Sequence, residues 1–148
     1  WIDNVYSEEN FLDLLQNLKK KYGKLYLTTD HSSNRNFRKI YQHYETYNDH
    51  SLYNLKKCKQ NIIILEKLNF KNWRKAIISS KLVITYECGC VHIASMSNVP
   101  LLVVYDYKNV PYMIHKEYAP NFKNYQKVIK KQNLINQEII SKIRISCC

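Results

Sequence analysis

Apolar residues along this chain fall into two arrangements, spaced faces and unbroken runs. Phe11, Leu14, Leu15 and Leu18 recur at helical spacing, which predicts a helix with one apolar face. Ser7 precedes it as a candidate N-cap, Glu8 and Glu9 fill its first turn, Lys19, Lys20 and Lys21 fill its last, and Gly23 follows. Acid at the start, base at the end and glycine beyond all suit the helix dipole and its end geometry. Leu25-Tyr26-Leu27-Thr28-Thr29 predicts a short strand, closed by the polar turn Asp30-His31-Ser32-Ser33-Asn34. Phe37, Ile40, Tyr41 and Tyr44 then predict a second helix.

The stretch from Thr46 to Gln60 is polar and reads as loop, with one helical turn around Leu52 and Leu55. Asn61-Ile62-Ile63-Ile64-Leu65 is a continuous apolar run, as expected of a strand covered on both faces. Asn69 caps a third helix carrying Phe70, Trp73, Ala76 and Ile77, and Leu82-Val83-Ile84-Thr85-Tyr86 is another buried strand. A short helix over about residues 90–97 leads through Pro100 to Leu101-Leu102-Val103-Val104-Tyr105. Residues 106–125, with Pro111 and Pro120, read as loop, and Leu134, Ile135, Ile139, Ile140 and Ile143 predict a closing helix. Four strands near 24–29, 61–65, 82–86 and 101–105 thus alternate with helices. This order predicts an α/β fold, a three-layer Rossmann-like domain with an all-parallel sheet spanning residues 1–148. Parallel sheets bind ligands at the carboxyl ends of their strands, so the turns after Thr29, Leu65, Tyr86 and Tyr105 are the places to search.

Composition narrows the classes. With 148 residues the chain suits one domain with a real core, since domains commonly run to ~100–150 residues. No apolar run approaches the ~20 residues of a membrane-spanning helix, and Trp1-Ile2-Asp3-Asn4 does not open a signal peptide. A first residue other than Met suggests a processed chain or a piece of a longer one. The net charge of +11 has two readings, an anionic partner or the drift of an A+T-rich genome toward Lys, Asn, Ile and Tyr. Of the 23 basic residues 19 are Lys and four are Arg. Phosphate and base recognition leans on the Arg fork, so nucleic acid is disfavoured. Peripheral contact with an anionic membrane, for which point-charge Lys suffices, is favoured over it. Five cysteines, an odd number with two closely spaced pairs, fit a reducing, cytoplasmic compartment.

The turn after Tyr86 is the most unusual: Glu87-Cys88-Gly89-Cys90-Val91-His92-Ile93-Ala94. A strand ends, Gly89 permits a tight backbone, and a helix begins at once. Free amides at such a start favour an anion, by ~0.3–1 kcal/mol from the dipole. Glu87 is placed to accept from a hydroxyl, and His92 lies one turn into the helix, so the residue types match a nucleotide diphosphate sugar. Three other readings stay open. Cys88, Cys90 and His92 could ligate a metal, although C-x-C-x-H departs from the usual zinc spacing. A Cys–His pair could be a nucleophile and its base. A tight strand-to-helix turn capped by a histidine requires no ligand.

The run from Trp73 to Pro100 resembles the C-terminal domain of glycosyltransferase family nine, the lipopolysaccharide heptosyltransferase group. That family has a helix ending in small residues, an apolar strand, Asp-(Ser/Thr)-Gly-x-x-His-x-Ala, a short helix and a Pro before the next strand. Here the frame reads Ala76-Ile77-Ile78-Ser79-Ser80, Leu82 to Tyr86, Glu87-Cys88-Gly89-Cys90-Val91-His92-Ile93-Ala94 and Pro100. Trp1 with the helix from Ser7, the strand from Leu25, and Asn61 to Leu68 follow in family order, so the resemblance covers about residues 1–125. Glu87 stands where the family has Asp, Cys88 stands where it has a hydroxyl residue, and the glycine expected after the last strand is replaced near Asp106.

The resemblance implies the donor-binding half of an inverting GT-B glycosyltransferase, with the N-terminal acceptor domain absent. Its donor would be a nucleotide diphosphate sugar of ADP-heptose type, and its acceptor a glycan or lipid A-type molecule engaged through the absent domain. The setting would be cytoplasmic, peripheral on the inner membrane. Carried over by motif, Glu87, Gly89 and His92 line the donor site, amides near Cys88 and Cys90 face the diphosphate, Lys67 and Leu68 form the edge for the base, and Asp30 stands at the other rim. No catalytic residue, cofactor or metal is assigned within the chain, because the family's general base comes from the other domain. The resemblance also implies a further strand, before the first helix, through the middle of the sheet. The alternative is a non-catalytic module, either a degenerate transferase remnant or a basic protein on an anionic membrane.

Overall fold

The structure, a computed structural model, describes residues 7–29, 38–86, 88–106, 125–130 and 135–145. It is α/β with parallel sheets, an arrangement compatible with a Rossmann-like fold. The chain divides into two compact units, residues 1–73 and 74–148. The four predicted strands are all present and all parallel, but they fall into two three-stranded sheets, each completed by a strand the hydrophobic pattern does not predict.

The first unit opens with α1 (Glu8–Tyr22), whose ends follow their sequence signals. Ser7 is the N-cap, its hydroxyl accepting from the Asn10 amide at 3.2 Å. Gly23 ends the helix with φ 75°, its amide donating to the Lys19 carbonyl at 2.8 Å. Leu14, Leu15 and Leu18 are buried, and the helix packs on β1 (Leu25–Thr29) and on α2 (Arg38–His43). Two side chains tie α1 to the second helical region: Glu8 Oε1 accepts from the Ile40 amide at 3.3 Å, and Gln16 donates to the Tyr44 hydroxyl at 3.2 Å.

β1 pairs in parallel with β3 (Ile62–Glu66), and the other side of β3 pairs with β2 (Thr46–Tyr47), giving the order β1-β3-β2. Ile62, Ile63, Ile64 and Leu65 are all buried, as a central strand covered on both faces requires. Ile40 and Ile64 form a core against which Phe11, Leu12, Leu27 and Tyr44 pack. The segment expected to be loop therefore contains a strand, β2, followed by a 3-10 segment Leu52–Lys57 where one turn is expected. Beyond β2, Asp49 accepts from the Asn69 amide at 2.7 Å and from the Asn72 side chain at 2.9 Å, fixing the start of α3 (Phe70–Ile78). Asn69 is the predicted cap of that helix, its side chain accepting from the Asn72 amide at 2.9 Å. The division between the units falls inside α3.

The second unit has β4 (Val83–Tyr86), α4 (Gly89–Met96), β5 (Leu101–Asp106), β6 (Tyr125–Lys130) and α5 (Ile135–Ile145). Its sheet order is β4-β5-β6, all parallel. Leu101 to Tyr105 are buried throughout, consistent with the central place of β5. α4 packs against β4 and β5 through Cys90, Val91 and Ala94, and α5 packs on β6, with Ile139 and Ile143 buried. β6 is the second strand unforeseen by the pattern, and the Tyr105 and Tyr125 hydroxyls meet across the β5–β6 pair at 2.9 Å. No helix among the described residues is long and apolar enough to cross a membrane.

Candidate functional site

β4 ends at Tyr86, and α4 begins three residues later at Gly89, so the amino end of the helix stands at the carboxyl end of a parallel strand. That is the ligand-binding end of such a sheet. Cys88 is the N-cap residue, in extended conformation, and its side chain makes no capping hydrogen bond. Among the early amides of α4 that of Val91 donates to the Cys88 carbonyl at 3.0 Å, and those ahead of it keep donor capacity toward an incoming group. Gly89, Cys88 and His92 are exposed, whereas Cys90 and Val91 turn inward to the sheet. Gly89 is the first helical residue, and among the described residues Gly23 is the glycine with positive φ. The tight backbone expected at Gly89 is thus ordinary helical backbone, and what the glycine contributes there is a start without a side chain.

The sulfur chemistry at this turn is unusual. Thr85 Oγ1 lies 3.4 Å from Cys88 Sγ and also donates to the Tyr86 carbonyl at 3.0 Å. The Cys88 thiol is lowered to about 6, chiefly because the Cys90 thiol donates to it, with further help from Thr85 and the amides of Cys90 and Val91. Cys90 moves the opposite way, strongly upward, because losing its proton would set two negative sulfurs together in a buried place. One proton is in effect shared, and it stays on Cys90.

Lys67 and Leu68 follow β3 in the first unit, at the carboxyl end of that strand. Lys67 is exposed, adopts φ 49°, and donates its amide to the Thr29 carbonyl at 2.9 Å. A left-handed lysine here bends the chain sharply out of the strand while tying the ends of β1 and β3 together. Leu68 is half-buried. Asp30 and Glu87, two further predicted site residues, lie outside the described residues. Of the predicted set the structure therefore brings together Cys88, Gly89, Cys90 and His92 on one helix start, and Lys67 and Leu68 on another turn.

Two residues at these turns are not among the candidate site residues read from the sequence. Thr85 has no motif to mark it, and only its register on β4 places it beside Cys88. Glu66 ends β3, level with Thr29 on β1, and its Oε1 is buried with no hydrogen-bond partner among the described residues. An acid closing an otherwise apolar strand is the signal that points to it. No group of three or more His, Cys, Asp or Glu residues capable of holding a metal ion occurs among the described residues. Cys58, Cys88 and Cys90 are free thiols. No family model, curated protein or solved structure matches the chain.

Proposed function

We propose that the chain binds a nucleotide diphosphate sugar at the amino end of α4, as the donor-binding part of an inverting glycosyltransferase similar to the lipopolysaccharide heptosyltransferases. The observation that carries this reading is the helix start itself: α4 opens at the end of β4 with a bare Gly89, no side-chain cap, and His92 exposed one turn in. Each feature suits a diphosphate. A residue without Cβ lets phosphate oxygens approach the backbone, the amides donate to them, and the dipole favours their charge. During transfer the bond between sugar and diphosphate breaks and negative charge grows on the leaving phosphate. Donors already in place stabilise that charge without reorganising. His92 adds a hydrogen bond from its exposed ring, and Glu87, by the motif, fixes a sugar or ribose hydroxyl. No residue of this chain is assigned as general base.

Calorimetric titration with nucleoside diphosphates tests the reading. Binding at or below millimolar ligand is expected. His92→Ala should weaken it by ~1–2 kcal/mol, since a hydrogen bond to a charged group contributes ~1.5–3. No heat of binding at millimolar nucleotide overturns the proposal.

A second reading has its own observation. Phe70 is 67% exposed on α3, with Lys71, Arg74 and Lys75 exposed on the same helix. Aromatic and basic side chains together suit an anionic membrane surface. Vesicle binding that falls with salt and ignores nucleotide would favour it.

A further inference from the structure

The strand order β1-β3-β2 determines where the first sheet opens. From β1 the chain crosses to β2 through α2, which lies on the face of Ile64, where Ile40 packs. From β2 it steps back to β3, in the opposite direction along the sheet. Right-handed crossovers in opposite directions pass over opposite faces, so the segment through Leu52–Lys57 lies on the other face. α3 starts on that same side, because Asp49, at the head of this segment, accepts from the Asn69 amide at 2.7 Å and the Asn72 side chain at 2.9 Å. The chain therefore leaves β1 toward one face and β3, its neighbour, toward the other. Such a divergence is a topological switch point, and open α/β sheets bind ligands in the crevice it leaves. At that crevice stands an acid. Glu66 and Thr29 are register partners at the ends of β3 and β1, and alternation puts both on the face of Ile64 and Leu27. Lys67 then takes φ 49° and donates its amide to the Thr29 carbonyl at 2.9 Å, closing the ladder one residue past the pair. Glu66 is half-buried, and its Oε1 is shut off from solvent with no hydrogen-bond partner among the described residues. A buried acceptor without a donor is costly and calls for an explanation. Packing does not ask for an acid here, since the other four residues of β3 are buried aliphatics.

We propose that the crevice between the ends of β1 and β3 binds the vicinal diol of a sugar ring, with the Glu66 carboxylate accepting from its hydroxyls. A carboxylate only accepts, and its two oxygens can take hydrogen bonds from two neighbouring hydroxyls at once. The group turns easily about its last bond, so the buried oxygen can be brought to the crevice without moving the strand. Charge selects against other ligands. Lys67, exposed beside the acid, repels an ammonium group, while Glu66 repels an anion in the same place. A neutral diol meets neither penalty. The inference stands apart from the nucleotide reading at α4, because every residue it uses belongs to the first unit and it requires no phosphate.

The test uses the whole 148-residue chain and follows its backbone amides by NMR as D-ribose, adenosine or dideoxyadenosine lacking both ring hydroxyls is added. None of these probes carries a phosphate. D-ribose or adenosine at millimolar concentration should move the amides of Thr29, Glu66 and Lys67. Movement with D-ribose assigns the site to free sugars, and movement with adenosine alone assigns it to nucleosides. Dideoxyadenosine should bind at least about tenfold more weakly than adenosine, because hydrogen bonds to a charged group are the stronger kind. Glu66→Gln keeps the shape, loses the charge, and should weaken the binding about tenfold. Glu66→Met separates binding from structure. It removes a buried acceptor that has no partner, so the thermal midpoint should hold or rise while diol binding is lost. A lower midpoint, or a Glu66→Met chain that fails to fold, shows that Glu66 serves the fold and overturns the proposal. Amides of Thr29, Glu66 and Lys67 that stay still, or that move equally with dideoxyadenosine, overturn it too. Shifts confined to α4 would overturn this inference and leave the nucleotide reading standing.

Discussion

Gly23 ends α1 at φ 75° and ψ −56°, and a Cβ built there would meet nothing within 4 Å. Space is therefore available, yet alanine should still destabilise the chain, because an L side chain in left-handed backbone costs ~1–2 kcal/mol. Thermal unfolding of Gly23→Ala against the unmodified chain checks this, and an equal or higher midpoint contradicts it. Cys88 raises a different question at the same scale. Its thiolate faces the Cys90 amide, a donor that the proposed diphosphate would use, whereas the Val91 amide donates to the Cys88 carbonyl, and two negative groups cannot share one donor cheaply. Protonating Cys88 removes one of the competitors. Affinity for a nucleotide diphosphate sugar should therefore rise as pH falls through about 6, and Cys88→Ser should flatten the dependence. A diphosphate diester is the right probe, because it has no ionisation of its own near that pH. Binding that is flat with pH in the unmodified chain, or equally steep in Cys88→Ser, counts against the overlap.

At the scale of elements, β3 holds the first unit together. It is the middle strand, its Ile62 to Leu65 are buried, and Ile64 joins Ile40 in the core that Phe11, Leu12, Leu27 and Tyr44 cover. Truncating Ile64 to alanine empties that contact, and buried Ile→Ala changes cost ~2–5 kcal/mol. Chemical denaturation should show a loss of that size, and a change under about 0.5 kcal/mol, as exposed positions give, would contradict the packing. The same strand shows why so much of the fold is legible in sequence. A run of four buried aliphatics has few alternatives, and α1 carries agreeing signals from Ser7 to Gly23. β2 and β6 are illegible for converse reasons. β2 is two residues long, with Thr46 exposed and Tyr47 buried, too short for any period to show. β6 reads Tyr125-Gln126-Lys127-Val128-Ile129-Lys130, half polar, and pairs on one side only among the described residues. An edge strand has no need to be apolar throughout. The site divides likewise. Gly89 and His92 stand out through a contiguous motif, whereas Thr85 reaches Cys88 through strand register and Glu66 is marked by a buried oxygen without a partner among the described residues. Neither of those properties is local in sequence.

For the molecule as a whole, the decisive feature is how each sheet ends. Among the described residues β1 pairs with β3 alone and β4 with β5 alone, so both are outer strands. Outer strands present unpaired backbone groups that natural sheets usually cover or pair. The heptosyltransferase resemblance implies one more parallel strand in the sheet, before the first helix, and assigns acceptor binding and the general base to another domain. On the proposed donor reading, binding and turnover should separate: the 148-residue chain should hold nucleotide at α4 and yet transfer nothing. Donor affinity needs only the amides and His92 at one helix start. Transfer needs in addition an acceptor hydroxyl held in line and a base to take its proton, and positioning of that kind contributes ~7–11 kcal/mol of barrier lowering. Losing it would slow the reaction by at least about five orders of magnitude, each 1.36 kcal/mol being tenfold. The assay is the purified chain with a nucleotide-heptose donor and a lipid A-type acceptor, read by product mass. Bound nucleotide with no product is the expected result. Measurable turnover would place acceptor binding and the base within this chain, and the division of labour argued from its two sheets would be wrong.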